Sequence, residues 1–195
     1  MRSIHKRTPP ESIRSQASAW QYEVARDPTI LGNTRHVKAR FDALDKDAAR
    51  RALCDEQTGI CAFCLGRIRT QSPEIDKAGT RLAHVVPRTL DPRRIFDWTN
   101  LVGACPGGSG TARHCDNLQG DRELFINPAA VPSLERHIRF STRGKLVYAG
   151  PELHGRTPKQ IQAEFDDVLG LNIERLRENR RAILETARAK MLRLG

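Results

Sequence analysis

The chain has 195 residues, 38% hydrophobic and 29% charged, a balance that suits one globular body with a modest core. Apolar runs of only a few residues exclude a bilayer span. The basic start Met1–Arg7 leads into no apolar stretch, which excludes a secretory signal and points to the cytoplasm. Lysine and arginine total 33 against 23 acids, a formal charge of +10, which attracts polyanions and nucleic acid foremost. Aromatic residues make up 5%, too few for a broad base-stacking platform, so the charge reads as attraction to phosphate without sequence readout.

Residues 1–32 are polar and marked by Pro9, Pro10 and Pro28; they read as an arm or short helix anchored by Trp20 and Tyr22. From Thr34 to Gln57 the pattern is helical. Val37, Phe41 and Leu44 recur at spacings of four and three, and Asp47-Ala48-Ala49 opens a second stretch that reaches Leu53 and stops at Gly59. Residues 60–70 read as a knuckle with a short strand ending at Ile68, and Thr70 to Thr80 as a polar loop. A strand signal over Arg81–Val86 ends at Pro87. A loop to Asp97, the run Trp98–Val102 and a glycine-rich turn follow, and a short helix begins near Cys115 or Asp116. Ile138–Phe140 and Lys145–Tyr148 read as a hairpin turning at Gly144. Pro158 suits the first turn of a helix closed by Gly170. From Ile173 a longer helix carries Leu176, Ile183, Ala187 and Met191 on an apolar stripe that reads as packing on the body. Its arginines form a solvated face, or a contact for nucleic acid or a partner.

Five cysteines stand at positions 54, 61, 64, 105 and 115, an odd count without an export signal that argues against a disulfide framework. The gap in Cys61-Ala62-Phe63-Cys64 lets two thiolates reach one metal. Cys105 and Cys115, with the pliable Pro106–Gly110 between them, supply the other corners of a structural zinc site. The alternatives are buried thiols or a redox pair, and the latter lacks a βαβ context. Cys54 reads as an ordinary buried cysteine.

His84, Asn100 and Asp116 lie among these thiols. Singly they read as a core histidine, a turn former and a helix N-cap. A zinc clamp that draws the chain before His84 and the chain around Asp116 together gives them a joint meaning. Neutral imidazole deprotonates water, a carboxylate takes a hard divalent cation, and an amide fixes the loop that aims the ring. Zinc in a closed four-thiolate shell contributes stability only.

Glu56-Gln57-Thr58-Gly59-Ile60-Cys61-Ala62-Phe63-Cys64, Ala83-His84-Val85-Val86-Pro87, Asp97-Trp98-Thr99-Asn100-Leu101 and His114-Cys115-Asp116 together resemble an HNH endonuclease with a zinc-stapled ββα-metal fold. More narrowly, Met1–Lys6 with Pro10–Ser12, and Leu169–Leu176, resemble the HNH nuclease subunits of Septu-type and retron-associated anti-phage systems. The resemblance implies an α+β fold whose HNH core, residues 56–125 with a four-cysteine zinc staple, is flanked by an N-terminal arm and helices (1–55) and by a hairpin and C-terminal helices (126–195). It implies His84 as general base, Asn100 as the residue that orients the loop and the base, and Asp116 as ligand of a catalytic Mg²⁺ or Mn²⁺. Cys61, Cys64, Cys105 and Cys115 would hold structural zinc. It also implies a nucleic-acid substrate, DNA ahead of tRNA, and an ABC-type ATPase partner, with the N-terminal arm and the basic C-terminal helix as candidate docking surfaces. Two positions depart from the pattern. Ala83 stands where the family carries an acidic or histidine metal ligand, and Gln119 where it carries lysine. His114, Asn117, Asp76 or the substrate phosphate are the candidates to complete the cation site. Ala83 also supports an alternative: a zinc scaffold that binds nucleic acid or tethers the ATPase without cutting.

Overall fold

The computed structural model describes residues 1–70 and 79–194; Asp76 and most of the polar loop lie outside them. Helix α1 (Glu11–Arg26) begins after Pro10, with Glu11 in its first turn and Arg26 in its last, each matched to the helix dipole. Of the two expectations for this segment, an arm or a short helix, it takes the helix, 16 residues long. Trp20 anchors it, 1% exposed, its indole N–H donating to Pro92 O at 3.0 Å. Tyr22 does not, at 65% exposed. The next two helices are set by caps: Asn33 accepts from His36 N ahead of α2 (Thr34–Asp42), and Asp45 from Asp47 N and Ala48 N ahead of α3 (Lys46–Glu56). Between α3 and the first strand the knuckle forms one bridge, Ile60 to Arg67, in place of the expected strand.

Strand β1 (Arg81–His84) pairs antiparallel with β2 (Leu101–Ala104), Arg81 opposite Ala104 and His84 opposite Leu101. Helix α4 (Asp116–Gln119) packs on β1. A second hairpin joins β3 (Ile138–Phe140) to β4 (Leu146–Tyr148). Its turn needs Gly144: φ is +74°, and a Cβ would lie 2.0 Å from Arg177 O. Helix α5 (Pro158–Ala163) opens with a capping box of Thr157 and Gln160. The chain then widens into a π turn over Glu164–Val168 instead of running straight to Leu169. Glu164 is buried there and accepts from Phe125 N at 2.6 Å and Ile126 N at 3.3 Å. Burial still pushes its carboxyl up to about 7.

Helix α6 (Glu174–Leu194) departs most from expectation. Leu176 is buried at 9%, but Ile183 is 68% and Met191 74% exposed, so the apolar stripe leaves the body after the first turns. Periodicity identifies a face; it does not supply what covers it.

The fold is α+β, with two apolar clusters on opposite sides of the β1–β2 hairpin. One gathers the knuckle thiols, Ala83, Val102 and Ala104 with Met1, Ile4 and residues from Leu124 to Leu176. The other joins α1, α2 and α3 through Ile13, Trp20, Phe41 and Leu53 to Ile95, Phe96 and Trp98. Cys54 is buried as expected, its thiol 3.3 Å from Thr80 Oγ1. No helix among the described residues is long and apolar enough to cross a membrane.

Candidate metal centre and active site

Four buried thiols converge. The sulfurs of Cys61, Cys64, Cys105 and Cys115 all lie within 4.8 Å of one another. The Cys61–Cys115, Cys64–Cys105 and Cys105–Cys115 distances are 3.8, 3.7 and 3.8 Å. A tetrahedron with zinc–sulfur bonds of about 2.3 Å has edges of about 3.8 Å, whereas a disulfide brings sulfurs to about 2.05 Å. The cluster therefore has the dimensions of a closed metal shell and could hold zinc. Backbone N–H groups of Gly66 and Cys105 point at the sulfurs of Cys64 and Cys61, each at 3.3 Å, as thiolates require.

The turn between the last two thiols is fixed in shape. Gly107 and Gly108 have φ of +78° and +67°, and a Cβ would lie 2.4 Å from His114 O and 2.3 Å from Ala112 O respectively. Cys115 itself takes φ +55°, a conformation that costs a non-glycine residue on the order of 1–3 kcal/mol. Its N–H is tied to Leu169 O at 2.7 Å. Ionisation is uneven across the cluster. Hydrogen bonds from Cys105 and then Cys115 draw Cys64 well below the usual thiol range, while burial, then the neighbouring thiols, push Cys115 well above it. A dication is what lets all four ionise together.

His84 ends β1 with its ring turned toward the helical cluster. Its centroid lies 4.7 Å from that of Phe41 on α2. Nε2 lies 3.0 Å from Ile95 O; a carbonyl only accepts, so Nε2 carries the proton and Nδ1 presents a lone pair. Burial foremost, assisted by Arg88, lowers the ring's pKa to about 4, so the imidazole is neutral at ordinary pH. Asn100 is fully buried. Its amide accepts from Val86 N at 2.8 Å and donates to Val86 O at 3.0 Å and Arg94 O at 3.3 Å. It thus locks both the chain leaving His84 and the loop that presents Ile95 O.

Asp116 is held elsewhere. Its carboxylate accepts from the Arg81 guanidinium, and α4 runs along β1 so that Asp116 meets Arg81 while Gln119 meets His84. Imidazole and carboxylate therefore stand at opposite ends of a strand about 10 Å long. Arg81 and Ala83 share one face of that strand, His84 the other. Ala83 is fully buried and offers no ligand. His114 serves the thiols: Nδ1 donates to Ala112 O at 2.9 Å and Nε2 lies 3.5 Å from Cys105 Sγ. The Asn117 amide donates to Gly108 O at 2.7 Å. Of the residues the sequence offers for the cation site, Asp116 is thus the carboxylate that the described residues contain. One carboxylate with substrate phosphate and water is within the range magnesium sites use.

Three residues have roles that the sequence does not announce. Gln57, 1% exposed, accepts from Gly103 N at 2.6 Å and donates to Gly103 O and Ile60 O, both at 2.8 Å, fastening β2 to the knuckle. Gln119 Nε2 lies 3.0–3.1 Å from the carbonyls of His84, Val85 and Arg122, and its Oε1 is buried without a partner among the described residues. An amide has two hydrogens for those three acceptors, where a lysine would have three. Arg81 is the third, paired across 35 positions of sequence with no local signal to announce it. No protein-family model matches the chain, and no curated protein matches it.

Proposed function

We propose that the chain is an HNH-type endonuclease that hydrolyses DNA phosphodiester bonds, with β1, β2 and α4 as its ββα-metal core and zinc as its staple. The observation that carries this is the His84 ring: neutral, with one nitrogen fixed on Ile95 O and the other free to take a proton from water. When water is deprotonated at Nδ1, the Nε2–H bond to Ile95 O steadies the imidazolium, and Asn100 keeps that acceptor in place. Asp116 would hold Mg²⁺ or Mn²⁺ with phosphate oxygens and water, the substrate bridging the length of β1 between that cation and His84. Such a cation offsets charge on the phosphate and the leaving oxygen. An ABC-type ATPase partner in an anti-phage complex belongs to the same reading and rests on the resemblance at both ends of the chain. The test is to incubate the protein, alone and with such an ATPase, with supercoiled plasmid and with total tRNA, in Mg²⁺, Mn²⁺ or chelator. Cation-dependent nicking of plasmid is expected, and cutting of tRNA alone would move the substrate to RNA.

The Arg81–Asp116 pair favours a second reading, a scaffold that binds without cutting, because it engages the carboxylate assigned to the cation. The two readings part at Arg81→Ala. In a nuclease, freeing Asp116 lowers the Mg²⁺ concentration for half-maximal cleavage by about two- to fivefold, the scale of a partly exposed ion pair. In a scaffold, neither the parent nor this variant cuts at any cation concentration.

A further inference from the structure

We infer that the groove between α2 and the turn at Arg88–Thr89 is the track on which the phosphate backbone of DNA lies beside His84. The inference rests on the nuclease reading for its purpose, and its test reads binding without cleavage. The groove has a volume of about 390 Å³, and its wall includes Arg35, Lys38, Arg88, Thr34 and Thr89 with no acidic residue. Among the described residues, two carboxylates bond to its lining. Asp42 is bonded to Lys38 and Lys46, and Asp121 takes the Thr89 hydroxyl at 2.9 Å. Arg35 and Arg88 have no carboxylate partner among the described residues.

Arg35 is also placed against local electrostatics. It lies in the first turn of α2, which holds no acidic residue, so its charge faces the positive end of the helix dipole. That arrangement is unfavourable until an anion comes between them. Arg88 links the groove to the chemistry. Its guanidinium lies 4.9 Å from the centre of the Phe41 ring, and that ring lies 4.7 Å from His84. A strand held by Arg35 and Arg88 therefore ends one aromatic ring away from the base. Leu31 and Val37 give the groove an apolar floor on which sugar carbons can rest.

The experiment measures anisotropy of a fluorescein-labelled duplex of about 20 base pairs against KCl concentration, in the His84→Ala background so that the probe stays intact. Removing two phosphate contacts in Arg35→Ala/Arg88→Ala is expected to reduce the slope of log affinity against log salt by about 1.8, since each contact contributes about 0.9. Lys190→Ala/Arg193→Ala, at the exposed end of α6, is expected to leave the slope as it was. An unchanged slope in the groove variant, with its melting curve intact, overturns the inference. So does a loss carried by the α6 variant instead. A reduced slope in a protein that never cuts would keep the groove and remove the hydrolysis. Cutting with an unchanged slope would do the reverse.

Discussion

Cys61→Ser is expected to abolish tight zinc binding and to collapse the cluster that the four thiols organise. Binding of structural zinc by small thiolate sites supplies about 10–16 kcal/mol at neutral pH, as much as or more than the about 5–15 kcal/mol of net stability of a typical domain. Cys61 is fully buried, so serine would leave a poor ligand beside three thiols that cannot ionise together without the cation. Metal analysis of the purified chain should find about one zinc per parent molecule and little in the variant. Thermal melting by circular dichroism should show the cooperative transition lost or moved sharply down. Cys54→Ser is the matched control: its thiol bonds Thr80 outside the cluster, so zinc content should not change. A Cys61→Ser protein that kept its zinc and its melting temperature would show that these sulfurs are not the ligands.

His84→Ala is expected to reduce cleavage by about 10²- to 10⁴-fold, the span of a positioned general base, with zinc content unchanged. Because alanine also leaves a cavity beside Phe41, His84→Gln supplies a second variant that fills the space without restoring a base of suitable strength. In the parent, the folded-state pKa of about 4 keeps the base form present from neutral pH down to about 5, so the rate falls only as pH drops through about 4. Stability follows the same sign. The reference pKa is 6.5 and the folded value is depressed, so the contribution of the buried neutral ring is complete above 6.5 and is lost as pH falls from there toward 4. A cleavage rate in both variants equal to the parent's would remove His84 from the mechanism.

What the sequence made legible follows from which forces are local. Helices α2 and α3 announce themselves through Val37, Phe41 and Leu44 at spacings of four and three and through the stretch that Asp47-Ala48-Ala49 opens and Gly59 stops. The hairpin of β3 and β4 is readable from Gly144, and the thiols from the two-residue gap at 61–64. The length of helix α1 is not legible beyond an arm or a short helix, because its buried residues, Ile13 and Trp20, are seven apart in an otherwise polar segment. The meeting of Asp116 with Arg81 rather than with His84 depends on the direction in which a four-residue helix crosses a strand, and no spacing encodes that. The stripe of α6 was readable as a face, but whether the body reaches Ile183 is decided by the shape of everything else.

The thiol cluster is roofed from both directions of the chain. Met1 and Ile4 lie in the same apolar cluster as Leu169, Leu171 and Leu176, and Leu169 O holds the N–H of Cys115. On the ribosome, then, all four sulfurs leave the exit tunnel before the later of the residues that shield them, and the nascent chain passes through an interval in which an oxidant or a competing soft ion meets them uncovered. Emergence of the segment through Leu176 ends that interval.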